Sequence, residues 1–174
     1  FAAGVLVALM ATCGVAVLLL STCNNEISVE EAQRRLSCPL YLPRTLPPDV
    51  DPEPLIREYQ EPVYTIAVHY IDQGQQTLVL DLIITPDSSL QGRWPQDPYA
   101  SAIYQKVVRL SNGRLVGILK PGEYDCGSMV AGDGTPCVAL RWPGEGAWYE
   151  LYSLLPLSET LAVVGSMESV LGGD

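Results

Sequence analysis

VYTIAVHYIDQGQQTLVLDLIIT, residues Val63–Thr85, decides the fold class. Two apolar runs flank a polar break. In the first, Tyr64, Ile66, Val68 and Tyr70 alternate with less apolar residues; in the second, Leu78, Leu80, Leu82 and Ile84 do. A strand turns successive side chains to opposite faces, so each run is expected to be a strand with one buried face. Asp72-Gln73-Gly74-Gln75-Gln76 joins them as a five-residue hairpin loop.

The same pattern continues downstream. After a polar loop with Trp94 and Tyr99, strands are expected at Tyr104–Leu110 and Arg114–Lys120, linked by Ser111-Asn112-Gly113. Another pair, Cys137–Trp142 and Ala147–Ser153, is joined by Pro143-Gly144-Glu145-Gly146. Ser158 then caps a helix whose apolar face is Leu161, Val164, Met167 and Leu171, and Gly172-Gly173 ends it. Upstream, Ser28-Val29-Glu30-Glu31 is a capping box that starts a short helix through Leu36, with Val29, Ala32 and Leu36 inward and Pro39 as the stop. Between helix and first strand lie seven prolines: Pro39, Pro43, Pro47, Pro48, Pro52, Pro54 and Pro62. Proline lacks an amide donor and fixes φ, so residues 39–62 are expected to be extended chain draped over the domain, neither helix nor central strand. Residues 24–62 thus form a short helix and a Pro-rich segment, and 63–174 a sheet with a C-terminal helix; from residue 28 on, the two make one domain. The expected class is α+β, an antiparallel sheet of about six strands with a helix packed on it.

Residues 1–20, FAAGVLVALMATCGVAVLLL, carry no charge, and all 30 acidic and basic residues follow Leu20. As a helix this stretch is roughly 30 Å long, the thickness of a bilayer's hydrocarbon core. Residues 1–23 are therefore expected to be a transmembrane helix or membrane anchor. A secretory leader has a shorter apolar core, of about 7–15 residues. Leu20-Ser21-Thr22-Cys23 also resembles a lipobox, which makes Cys23 a lipidation candidate, although Thr22 departs from the usual small residue. All three readings export the rest of the chain. Gly4, Ala8, Thr12 and Ala16 recur every four residues on one helix face, the arrangement that lets helices approach closely in lipid. Integral membrane subunits are the partners expected there.

The formal net charge is −10, all of it on the exported part. It argues against nucleic acid and anionic lipid as partners and suits a basic soluble protein. Five cysteines are present. Cys126 and Cys137 flank a turn-rich stretch and are expected to be bonded to each other, as an oxidising compartment permits; Cys38 is left as a small buried residue.

At this point the residues resemble a family of exported bacterial domains of unknown function, found on lipoproteins and behind anti-sigma-factor membrane helices. The likeness rests on Glu30-Glu31-Ala32, Leu36-Ser37-Cys38-Pro39-Leu40-Tyr41-Leu42-Pro43, Leu46-Pro47, the aromatic pair Leu140-Arg141-Trp142 and Trp148-Tyr149-Glu150-Leu151, and the closing Leu161–Met167 segment. It spans roughly residues 28–170. Pro48-Asp49-Val50 departs from the family's Gly-containing turn. The resemblance transfers no catalytic residue.

Reactive constellations are scarce. One histidine, His69, cannot build a His-rich zinc or blue-copper site, and it shares its strand face with Thr65, Ala67 and Ile71. There is no Cys-x-x-Cys, and neither Ser128 nor Ser166 lies in a Gly-x-Ser-x-Gly elbow. Gly132-Asp133-Gly134 reads as a turn. Asp81, a carboxylate inside an apolar strand, is expected on the outer face, paired or exposed. No cofactor, metal or catalytic residue is expected. The expected role is that of a non-catalytic accessory subunit of a membrane complex, such as a respiratory or photosynthetic electron-transfer complex, with its domain on the extracytoplasmic side. The alternative is an envelope sensor or lipoprotein ectodomain.

Overall fold

The hairpin that opens the sequence reading lies near the middle of one eight-stranded antiparallel sheet. The computed structural model describes residues 26–60, 63–74, 77–86, 100–124, 126 and 137–170. Gly4, Ala8, Thr12, Ala16 and Cys23 lie outside these residues, as does the whole 1–23 segment expected to span the membrane. Among the described residues no helix is long and apolar enough to cross a membrane.

The described residues form ten strands: β1 (Glu26–Ile27), β2 (Tyr41–Pro43), β3 (Leu55–Tyr59), β4 (Thr65–Ile71), β5 (Leu78–Pro86), β6 (Tyr104–Arg109), β7 (Leu115–Leu119), β8 (Val138–Gly144), β9 (Ala147–Ser153) and β10 (Met167–Ser169). The helices are α1 (Val29–Arg35), α2 (Ala100–Ile103) and α3 (Leu157–Gly165). The main sheet runs β1-β3-β4-β5-β9-β8-β7-β6, and β10 pairs with β2 in a separate ribbon. The class is α+β, with eight strands in the sheet rather than six.

Of the two extra strands, β1 lies before α1, and β3 comes from the region where proline was expected to forbid a strand. The prolines leave Leu55–Tyr59 free, and its backbone pairs with β4 over five residues and with β1 on its other side. Proline forbids a strand only where an amide must donate. Pro43 is tolerated because it ends the short β2–β10 ribbon. Pro143 is likewise inside β8, opposite Trp148 and beyond the two positions where β8 pairs with β7. The expected four-residue link at Pro143–Gly146 is therefore a tight two-residue turn at Glu145-Gly146, which Gly146 permits with φ 74°.

The C-terminal helix is shorter than expected. Its N-cap is Pro156 rather than Ser158, and it stops at Gly165. Met167 then enters β10 and pairs with Pro43. A 3.6-residue pattern through Met167 is indistinguishable from a helix followed by a strand that points one residue inward. Ser28 caps α1 as expected, accepting from the Glu31 amide at 3.2 Å.

Burial divides the sheet into two faces. The first carries Ile56, Ile66, Val68, Tyr70, Leu80, Leu82, Ile84, Leu140, Trp142, Tyr149 and Leu151, all essentially inaccessible. Ala32 and Leu36 of α1, Val163 and Val164 of α3, Leu40 and Met167 close over it. Trp142 stacks on Tyr149 with centroids 5.8 Å apart, and Tyr41 meets Tyr149 edge-on at 5.3 Å. Tyr64 Oη and Trp142 Nε1 lack a partner on this face, but other buried polar groups here are answered. The Tyr149 hydroxyl donates to the Pro39 carbonyl at 2.6 Å, and Thr160 lies 3.0 Å from Ser153, both hydroxyls fully buried. A Cβ at Gly144 would collide with the Tyr149 ring, so this strand end requires glycine for close approach.

Candidate functional site

The second face of the same sheet is built differently. Cross-strand partners share a face, so the register places Leu55, His69, Asp81, Tyr152 and Ala139 in one row across β3, β4, β5, β9 and β8. A parallel row runs Arg57, Ala67, Ile83, Glu150, Arg141 and Gly117. Two adjoining rows of one sheet face thus hold two arginines, a histidine and two carboxylates.

His69 Nδ1 lies 3.2 Å from Asp81 Oδ1, and the side chains are 12% and 18% exposed. The distance is that of an ion pair, yet neither atom is aligned for a hydrogen bond, and His69 Nε2 also lacks a partner. One strand apart, Arg141 is ion-paired with Glu150, whose other oxygen accepts from the Tyr152 hydroxyl at 2.7 Å. Burial opposes the Arg141 charge, but the attraction of Glu150 and hydrogen bonds to Glu150 and Tyr104 outweigh it and hold its pKa above the ordinary value. Burial raises the Tyr152 pKa, and its bond to Glu150 raises it further. Arg141 also sits over the Trp148 ring, 5.8 Å from its centroid.

Among the described residues, five of the seven buried side-chain polar atoms that lack a hydrogen-bond partner belong to this face: Arg57 Nε, both nitrogens of His69, Asp81 Oδ1 and Arg141 Nε. Native proteins leave few such atoms, and their concentration on one face marks a place where stability has not been maximised.

Toward β6 the face becomes apolar. Tyr104, Leu119 and Ala139 form a small second cluster with Ile103, Tyr124 and Tyr152 against it. The disulfide is tied to this cluster: Cys126 and Cys137 are bonded, with Cα atoms 6.4 Å apart, and Tyr124 donates to the Cys137 carbonyl at 2.8 Å. The expected pairing is thus present, and Cys38 is the free, buried thiol among the described cysteines.

The structure brings His69 and Asp81, expected as separate and mostly structural residues, into one pair. A His–carboxylate pair is the base half of a nucleophilic triad. Among the described residues no hydroxyl or thiol is hydrogen-bonded to His69, and no cluster of three or more His, Cys, Asp or Glu is found. Arg57, Arg141, Glu150 and Tyr152 went unrecognised. The signal was available: reading Glu145-Gly146 as a two-residue turn sets Arg141 opposite Glu150, whereas a four-residue link shifts that register.

A scan against protein-family models finds no match, and neither do searches of curated proteins and of solved structures. The resemblance to exported bacterial domains therefore rests on its motifs alone.

Proposed function

We propose that this chain is a membrane-attached, non-catalytic accessory subunit whose extracytoplasmic domain binds protein through the second face of its sheet. The observation that carries this reading is the contrast between the faces: one is a mainly apolar core closed by helices, the other gathers half-buried charges and most of the unpartnered polar atoms among the described residues. Buried polar groups left partly unsatisfied cost stability. A binding role accounts for keeping them, because polar groups fix partner and register. The Cys126–Cys137 disulfide supports an oxidising compartment. The uncharged residues 1–20 support attachment to a bilayer, with Gly4, Ala8, Thr12 and Ala16 packing against integral subunits. The net charge of −10 suits a basic soluble partner, as at the outer face of a respiratory or photosynthetic electron-transfer complex.

Affinity purification of the tagged full chain from its native membranes in mild detergent tests the reading. A stoichiometric set of integral subunits is expected to copurify with the wild type. The Arg141→Ala/Glu150→Ala variant is expected to lose the partner of the second face while keeping those held by the leader. A chain that purifies alone contradicts the proposal. The second reading, an envelope-sensor ectodomain of the anti-sigma type, is favoured by the Leu36–Pro43 motif and the aromatic β8–β9 hairpin. It predicts a sigma-binding segment on the cytoplasmic side of the leader.

A further inference from the structure

The cations of this acidic chain are unevenly placed. Lys106, Arg109, Arg114 and Lys120 all belong to the β6–β7 hairpin and its end, and no acidic residue occurs between Asp97 and Glu123. Elsewhere the described arginines Arg34, Arg35, Arg44, Arg57 and Arg141 each face a carboxylate. Two of the hairpin's cations are turned onto its own structure: Arg114 donates to the Val164 carbonyl at 3.0 Å, and Lys120 donates to the Ala102 carbonyl at 2.8 Å. Lys106 and Arg109 stand exposed on β6, and Arg109 donates to the Gly113 carbonyl at 3.1 Å. Among the described residues neither is ion-paired with a carboxylate.

β6 is also a sheet edge: β7 lies on one side of it, and no described strand lies on the other. The Leu110 N–H donates to the Arg114 carbonyl and the Leu110 carbonyl accepts from the Gly113 N–H, both at 2.9 Å, so Leu110 turns its backbone groups inward. Backbone direction alternates along an antiparallel strand, so Val107 and Arg109 turn theirs away from the sheet. Each offers one donor and one acceptor to an added strand. Gln105, Lys106, Val107 and Arg109 are all exposed, Val107 at 37%. The register assigns the side chains. Lys106 and Val108 oppose Ile118 and Val116 on the core side, while Val107 and Arg109 oppose Gly117 and Leu115 on the second face. Each side of the edge thus presents one cation and one valine.

We propose that the outer edge of β6 accepts an extended acidic segment of another protein as a further strand, with an acidic–apolar–apolar–acidic run opposite Lys106-Val107-Val108-Arg109. Main-chain hydrogen bonds to Val107 and Arg109 supply the attachment, and the two cations choose the sequence. Cations on a sheet edge also keep a strand from pairing with its own copy. Antiparallel self-pairing centred on Val107 and Val108 sets Lys106 of one copy against Arg109 of the other, and like charges directly opposite are unfavourable. The same two cations attract a carboxylate-bearing strand. The chain's net charge of −10 does not prevent this, because salt screens exposed charges beyond about 8–10 Å and leaves the local cations to govern the edge. The edge lies two strands beyond Arg141, so this contact depends neither on residues 1–20 nor on the binding proposed for the second face.

The test follows the backbone amide signals of the isotope-labelled full chain in detergent micelles during titration with the peptide Ser-Thr-Glu-Val-Val-Glu-Thr-Ser. Two control peptides are used. One carries Lys in place of both Glu residues; the other keeps the acidic sequence but is N-methylated at its four central residues. The acidic peptide is expected to shift the Val107 and Arg109 amides and slow their hydrogen exchange, and the controls to do neither. Lys106→Glu/Arg109→Glu is expected to weaken the acidic peptide by about tenfold or more and to create binding of the Lys peptide. Val107→Pro removes an outward amide that the ladder to β7 does not use, and is expected to abolish binding while the β7 amide signals hold their positions. Equal binding of the N-methylated peptide would show attraction by charge alone and overturn strand addition. Shifts confined to the second face, or no shift with any peptide, also overturn it. Concentration-dependent shifts at Val107 and Arg109 without peptide would assign the edge to a second copy of this chain and overturn the acidic partner.

Discussion

The two faces of one sheet, sharing every strand from β3 to β8, follow opposite rules. On the first face Trp142 and Tyr149 stack, Leu80, Leu82 and Leu151 vanish from solvent, and buried hydroxyls such as that of Tyr149 find carbonyl partners. On the second, His69 and Asp81 approach without aligning, and Arg57 and Arg141 each leave a buried nitrogen unpartnered. Backbone pairing is equally good for both, so the difference lies in side chains alone. The first face is what makes the sheet fold; the second is a surface that the fold tolerates.

The contrast can be broken hardest from the first face. Trp142→Ala removes the largest fully buried side chain among the described residues and the stack with Tyr149. It is expected to cost about 3–5 kcal/mol in denaturant unfolding. Cys126→Ser or Cys137→Ser opens a closure of 11 residues. A loss of about 3 kcal/mol is expected, and dithiothreitol should lower the wild-type melting temperature but leave either variant unmoved.

Alkaline titration gives the next effect. Burial raises the pKa of Tyr70 and Tyr149 well above the ordinary phenol. The folded state therefore keeps a proton that the unfolded chain releases above about pH 10, and stability is full below that pH and falls above it. The expected slope is about 1.4 kcal/mol per pH unit for each such tyrosine, and Tyr149→Phe should flatten it by one tyrosine's share. An unchanged slope would show that the Tyr149 ring opens to solvent.

The smallest effect should come from the second face and is the most informative. Replacing His69 and Asp81 together by Leu is expected to change stability by less than about 1 kcal/mol, or to increase it, because poorly satisfied half-buried pairs are readily replaced by apolar packing. A large loss would place the pair in the folding core and remove the distinction between the faces.

Much of the first face was legible from residues alone. The alternation in Val63–Thr85 names its own buried set, and Ser28 with Glu31 names the start of α1. β3 was hidden because prolines on both sides of Leu55–Tyr59 obscure a five-residue window that no proline enters. α3 was overextended because Met167 satisfies the helical period and is buried anyway, in β10. The second face was hard to read for a different reason. Its rows are made by register, and the register of β8 against β9 depends on whether two or four residues turn between them. Asp81 was visible as an odd carboxylate, but its partner His69 sits twelve residues earlier, across a hairpin whose bulge at Tyr70–Ile71 shifts the pairing.

The division of labour between the faces is tested most directly by photo-crosslinking in native membranes. A benzoylphenylalanine is placed either at Trp148, on the second face, or at Glu159, on the exposed side of α3. A discrete adduct with one protein partner is expected from position 148 and none from 159. Adducts from 159 alone, or from neither position while the leader remains in its complex, would contradict the account.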